Sequence, residues 1–558
     1  MVSAAAFLTL LALVQSGFVP SIRETSETHA VLVAIDTGFR HAPGAATLLW
    51  IDERVRHGRP DDVCRWLLQQ GDLHGLAPEV LDAAGRAALE SEHALLARTA
   101  YREFLRQLPD DARGLLGLGR AWLLLGRGVE ALRYGEASVG ARPFHADSHE
   151  LLVRALLLSG RYEDALHRAE RALFLIERPS AGLLSAHGSA LFRMRRHAEA
   201  AAAYRRALSV DPLVAEASLK LGSGLAEPGE AAPLPGIEQL VTFLERREYT
   251  PALALLEKNL AERPDHPVAL RLLGEALLDQ KLQGAWFQHD PDAPPLLWEL
   301  PAARVDTATL QAFFPDYQGL SPGRQKIVLR AAGLFWPDLV RVGKLGGTHD
   351  IVASQARTTD SPRRESLRGR LTFDGRLWDD VRGVGGLNAA TGIEALDGPA
   401  AFCFDTMAHE VAHQVHLFGF DHLERSRIKR LYEAAMREGR ALDYYAASNE
   451  TEYFAQGVEA FVALGKRPGR QVTHGHTRFE LFRRDPDLYR FVASKLAYDP
   501  LRDLPEAART QLLQHAARFA LRCGRTEDAV TAASWLTGPA AQSLQAEAAH
   551  AQLVSRSY

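Results

Sequence analysis

The chain has 558 residues, 47% hydrophobic and 24% charged, which suits several soluble cores and excludes disorder as its main state. It carries 65 Lys and Arg against 69 Asp and Glu, a net charge of −4, so no global basic field points to nucleic acid. Three cysteines, Cys64, Cys403 and Cys523, lie far apart without a CxxC pair, which excludes a disulfide framework or a thiolate zinc knuckle as the organising principle.

At the N-terminus, Ala4 to Val14 is apolar and suits the core of a secretory signal, with Val14 and Ser16 flanking a cleavage point. Met1-Val2-Ser3 lacks the Lys or Arg that such signals carry. The expectation is a leader over residues 1–20 and an extracytoplasmic or secreted chain. The alternative is a buried first helix in a cytoplasmic one. No run reaches the 18 or so apolar residues of a membrane-spanning helix. Residues 21–94 read as an N-terminal helical region.

From 95 to 283 the sequence repeats. Gly126-Arg127-Gly128-Val129-Glu130-Ala131-Leu132 aligns with Gly160-Arg161-Tyr162-Glu163-Asp164-Ala165-Leu166 and with Arg195-Arg196-His197-Ala198-Glu199-Ala200-Ala201, at steps of 34 and 35 residues. Each is followed by a second apolar-periodic helix and a Pro stop, at Pro143, Pro179 and Pro212. A fainter copy runs through Tyr249 and Ala252 to Pro264, and another, Gly524 to Ala529, lies near the C-terminus. The small Ala at the shared position lets two helices approach closely, and one such unit cannot bury its apolar face alone. The pattern resembles tetratricopeptide repeats, which implies an α-solenoid that binds a protein partner.

Glu227-Pro228-Gly229 to Pro235-Gly236 reads as a loop in the array, and Gln283 to Pro295 as a domain boundary. An α+β block is expected over 292–500, with strands at His349–Ser354 and Leu371–Phe373 and a glycine-rich hairpin at Arg382–Gly386. Residues 501–558 read as a helical tail with one repeat-like hairpin. The fold class is thus mainly α, a solenoid followed by an α+β domain.

The block contains His409-Glu410-Val411-Ala412-His413. Two imidazoles four residues apart on a helix point the same way, the bite a tetrahedral zinc ion accepts. Glu410, next to the first of them, is placed to accept a proton from water at such a metal. A third ligand is needed. A His at position 419 is excluded because that residue is Gly, which disfavours the metzincin pattern. Downstream, Ser448 or Asn449 caps a helix that offers Glu450, Glu452 and Glu459, of which Glu452 and Glu459 share a face. His416 is read as structural, and the pair His474 and His476 as structural or substrate-facing.

The segment Tyr445 to Ala455, with Asn449-Glu450-Thr451-Glu452-Tyr453-Phe454-Ala455 at its end, resembles the gluzincin catalytic domain of anthrax toxin lethal factor and its relatives. The resemblance covers about residues 400–462. It implies one zinc ion per chain on His409, His413 and Glu452, Glu410 as general base, and Tyr445, seven residues before Glu452, as donor to the oxyanion. Tyr444 competes for that last role. Gln456 departs from the family's motif, where a Glu follows the Ala. The expected activity is a zinc-dependent endopeptidase acting on a peptide or protein substrate. The alternatives are a repeat scaffold with a vestigial metal site and a metal-dependent hydrolase of non-peptide bonds. The segment Arg382–Leu387 is expected to border the cleft, and the array to act away from the chemistry by recruiting substrate or partner.

Overall fold

In the computed structural model, residues 45–225, 234–282, 305–372, 375–397, 405–466, 475–537 and 539–556 are described. The leader, most of the 227–236 loop, the boundary at 283–295, Phe373, Asp374, Cys403, Phe404 and His474 lie outside them. The chain is mainly helical, and its one sheet among the described residues has three strands. No described helix is long and apolar enough to cross a membrane.

Tetratricopeptide repeats make up the N-terminal part. Four successive hairpins pair a 13-residue helix with a 14-residue one: Pro78–Glu90 with Ala94–Gln107, Ala112–Leu124 with Gly128–Ala141, Ala146–Leu158 with Tyr162–Leu175, and Ala181–Arg193 with His197–Val210. Every turn between them contains one left-handed residue: Glu92, Gly126, Gly160 and Arg195, spaced 34, 34 and 35 apart. The following N–H reaches back to the first helix in each case, as His93 N to Ala88 O, Arg127 N to Trp122 O, Arg161 N to Leu156 O and Arg196 N to Leu191 O. This closes the helix end with a left-handed cap. Arg247 and Gly524 repeat the device in later hairpins. The shared alanines, Ala131, Ala165, Ala200, Ala252 and Ala529, are fully buried, as close helix approach demands.

The first of these hairpins straddles the expected boundary at residue 94: its helix Pro78–Glu90 lies in the region read only as N-terminal helix, and Ala94–Gln107 lies almost wholly in the region read as repeats. Its turn residue is Glu92, where the other hairpins have Gly or Arg, so the sequence pattern that marks the others is missing.

Beyond the array, a single apolar core joins residues from Leu310 to Leu496. Against it lies the sheet, in the order β1-β3-β2. β1 (Thr348–Val352) pairs in parallel with β3 (Asn388–Gly392), and β2 (Gly383–Val384) pairs antiparallel with β3 at the edge. Strand β1 matches the expected segment. Leu371 makes only an isolated bridge with Leu377. β3 has no counterpart among the expected strands, because Asn-Ala-Ala-Thr-Gly has weak strand preference. Its small side chains are buried, and they let a helix pack closely over it.

The array packs directly on this block. Leu377 N donates to Gly224 O at 2.8 Å, Arg271 donates to Ser354 O, and Arg324 bridges Glu245 and Asp397. The C-terminal hairpin, Glu506–Arg522 and Thr526–Ser534, shares a core with Leu464 and Phe479 of the block. It also returns to the start of the array, where Arg522 Nη2 donates to His93 Nε2 at 3.0 Å. The array and the block are therefore packed against each other, and the contacts named here lie outside the His409, His413 and Glu452 cluster.

Candidate metal centre

The helix Thr406–Gln414 starts at Asp405, whose carboxylate accepts from Ala408 N at 3.0 Å and faces Arg330 at 3.2 Å. Met407, Ala408, Val411 and Ala412 bury it in the apolar core. Gln414 ties its far end to the sheet by donating to Thr348 O and Leu387 O, while its side-chain carbonyl takes His349 Nδ1 at 2.9 Å. The helix is thus fixed on three sides, and its remaining face carries His409 and His413.

Opposite runs the helix Glu450–Val462. Asn449, not Ser448, caps it, accepting from Thr451 N and Glu452 N. The cap sets Glu452 in the first turn, where the helix end favours a carboxylate. Glu452 Oε2 lies 3.2 Å from His409 Nε2 and 3.4 Å from His413 Nε2, and the two Nε2 atoms are 3.0 Å apart. A tetrahedral zinc with ligands at 2.0–2.1 Å separates them by about 3.3 Å. The three donor atoms therefore fit that ion. Neither Glu450 nor Glu459 belongs to the cluster.

Burial disfavours charge on His409, and its pKa falls although Glu452 opposes this. His413 is equally buried, but Glu452 and Glu410 together hold its pKa up. Burial also works against the Glu452 carboxylate, yet hydrogen bonds from both imidazoles overcome it and keep it well below the ordinary range. Burial pushes Glu410 up to about 8. Glu410 Oε2 is buried without a hydrogen-bond partner among the described residues. Glu410 thus sets a buried carboxyl oxygen with no hydrogen-bond partner among them next to the helix face that carries the two histidines.

Edge strand β2 runs along this site. A Cβ on Gly383 would stand 2.4 Å from Glu410 Oε1, and one on Gly385 would stand 2.9 Å from His413 Cβ. The glycines permit that approach, so the segment read as bordering the cleft does lie against the histidine helix.

Tyr445 is half-buried in the turn before Asn449. Asp443 organises that turn, accepting from Tyr445 N and Ala446 N and facing His476 at 3.2 Å. Tyr444 is 41% exposed, with its ring centroid 6.2 Å from that of Tyr445. His476 is buried between Asp443 and Glu480, which is a structural role. His416 packs on Phe454, and burial pushes it down to about 4, so it is a neutral core histidine. Gln456 is fully buried one turn after Glu452, and burial raises Glu459 to about 8.

A second buried group, Asp61, Cys64 and His93, also brings three donors together, and no sequence motif marks it. Here Arg522 donates to His93 Nε2, which also faces Asp61 Oδ1 at 3.1 Å. Burial pushes the Cys64 thiol up to about 12. The Arg522 guanidinium and the Asp61 carboxylate both meet the imidazole nitrogen, so this group ties the first hairpin to the C-terminal one.

Comparison with known proteins bears on the repeats. The family model of the tetratricopeptide repeat matches residues 83–146 and 185–231. No curated protein matches the chain. Among solved structures, the chain is similar to TTC0263, a thermophilic tetratricopeptide-repeat protein of Thermus thermophilus, at 22% identity over 31% of this chain and 93% of that one, with a TM-score of 0.27. It is similar to YrrB, a tetratricopeptide-repeat protein with an unusual peptide-binding site, at 20% identity over 34% and 89%, with a TM-score of 0.22. A MamA structure matches at 20% identity over 30% and 97%, with a TM-score of 0.24.

Proposed function

We propose that the chain is a zinc-dependent peptidase whose repeat array holds a protein substrate or partner. The observation that carries this reading is the convergence of His409, His413 and Glu452 at tetrahedral spacing, with Glu410 buried beside them. A bound zinc ion would polarise the scissile carbonyl and make water more acidic. Glu410 takes a proton from the attacking water and returns it to the leaving amine. Tyr445, at its turn before the Glu452 helix, donates to the oxyanion, a contribution of about 3 kcal/mol for such a donor. Edge strand β2 offers backbone pairing to an extended peptide beside Glu410.

A second reading is a repeat scaffold for protein interaction with a vestigial metal site. The family match favours it, because that match falls on the repeats. The two readings part at Glu410, which a scaffold has no use for. Purified chain loaded with zinc is incubated with an unfolded protein substrate, alongside Glu410→Gln. The peptidase reading expects cleavage that a chelator abolishes and that Glu410→Gln lowers at least about a hundredfold with zinc retained. Equal cleavage by the Glu410→Gln protein removes Glu410 from the mechanism, and no cleavage by the zinc-loaded native chain supports the scaffold.

A further inference from the structure

Between the array and the block lies a cavity of 1180 Å³, bordered by four segments of the array (Leu157–Tyr162, Ser189–Arg193, Ala215–Ser223 and Leu277–Lys281) and by the turn Leu442–Tyr444. Its volume exceeds the usual range for small ligands. The turn that forms one wall leads directly into Tyr445. Arg376 also lines the wall.

The lining is charged against the trend of the chain. Six side chains are cationic, Arg154, Arg193, Lys220, Lys281, Arg376 and Arg484, and three are acidic; Arg154 and Lys281 are paired with two of those acids, and Arg193, Lys220, Arg376 and Arg484 lie outside those two pairs. The acids are engaged. Glu216 receives Arg154, Ser185 and Ser189. Glu92 pairs with Lys281 at 3.2 Å, and Asp443 is held by its own turn and His476. Arg193 lies across the junction, its guanidinium 4.2 Å from the Tyr444 ring centroid and 5.8 Å from that of Tyr162. That stacking orients the planar fork while leaving its charge for a carboxylate. The cations are spread over several hairpins and both walls, and Leu157, Phe192 and Leu277 lie among them. A small anion would meet only part of that surface.

We propose that this cavity binds an extended polypeptide segment bearing acidic side chains. Delivery of that segment to Glu410 rests on the peptidase reading, whereas its capture does not.

The test uses the full chain carrying Glu410→Gln, so that no probe is cut. Fluorescent eight-residue peptides of alternating Glu and Ala, and the same peptides with Gln or Lys for Glu, are titrated by anisotropy. The Glu peptide should bind at least about tenfold more tightly than the Gln peptide, with the gap narrowing as salt rises. The double change Arg193→Glu, Lys220→Glu should remove that preference. Arg484→Glu, at an exposed position, should weaken it about threefold, and it guards against a folding defect in the pair. Equal binding of the Glu and Gln peptides, a preference untouched by these variants in folded protein, or tighter binding of a labelled oligonucleotide overturns the proposal. Acidic preference in a chain that cuts nothing keeps the cavity and removes the peptidase. Cleavage by the native chain without any KM preference for acidic peptides does the reverse.

Discussion

The Nε2 atoms of His409 and His413 face each other at 3.0 Å across one turn of helix, and Glu452 Oε2 completes a triangle with them. Two imidazole nitrogens at that distance can share at most one proton. A dication would satisfy both lone pairs and the carboxylate together.

Zinc content measures this directly. Purified chain is expected to hold about one zinc, as a single three-ligand site requires. Glu452→Gln should lower that occupancy sharply, whereas Glu450→Gln and Glu459→Gln should leave it. Loss of zinc from either of the latter, with Glu452→Gln unaffected, would move the third ligand elsewhere on the helix.

Gly385 controls the ligand behind it. A methyl group there would meet His413 Cβ, Cγ and Cδ2 at 2.9–3.1 Å, and the ring has the fully buried Gln414 beside it. Gly385→Ala is expected to weaken zinc binding about tenfold, the scale of disturbed ligand support, as read by competition with a chelating dye. Gly386→Ala is the contrast. Its Cβ meets nothing within 4 Å, but its φ of +120° strains any side chain. It should lower stability and leave zinc affinity alone.

His349 makes the fold sensitive to acid. It is fully buried between Gln414 and Thr391, and burial pushes its pKa down to about 4 from 6.5. Between those values the unfolded chain takes up a proton that the folded chain refuses. The resulting stability is complete above about pH 6.5 and is lost as pH falls toward 4, with about 2 kcal/mol gone at pH 5. Urea midpoints at pH 7 and pH 5 should therefore differ less in His349→Gln than in the native chain. An unchanged difference would assign the acid sensitivity to other groups.

Arg195 occupies a left-handed turn position, with φ of +59°, that Gly fills in the two preceding hairpins. Its side chain is exposed. Arg195→Gly is expected to stabilise the chain by about 0.5–1 kcal/mol, because relief of the Cβ clash exceeds the added freedom of the unfolded state. Gly160→Ala should cost about 1 kcal/mol at the equivalent site. Thermal midpoints moving the other way would show that the turns are not equivalent.

The hairpin period, the buried alanines and the histidine helix are legible in the sequence because each depends on contacts within about 35 residues. His409 and His413 share a face by helix geometry alone, and Glu452 enters through the resemblance of its Asn-Glu-x-Glu segment. The first helix of the first hairpin is missed because its turn, with Glu92, lacks the Gly or Arg pattern of the others, and β3 because small buried residues carry little strand signal.

What only the tertiary structure decided is the meeting of segments far apart in the chain. Glu452 reaches histidines 39 and 43 residues away because Asn449 fixes where its helix begins. Gly383 and Gly385 lie beside Glu410 and His413 because Gln414 clamps the histidine helix to the loop before β3. Arg193 of the array stacks on Tyr444 of the block because Gly224 and Leu377 join backbones at 2.8 Å. Periodicity determines which face of an element is apolar, but partners across a sequence gap are chosen by how those faces fill space together, and no local pattern encodes that choice.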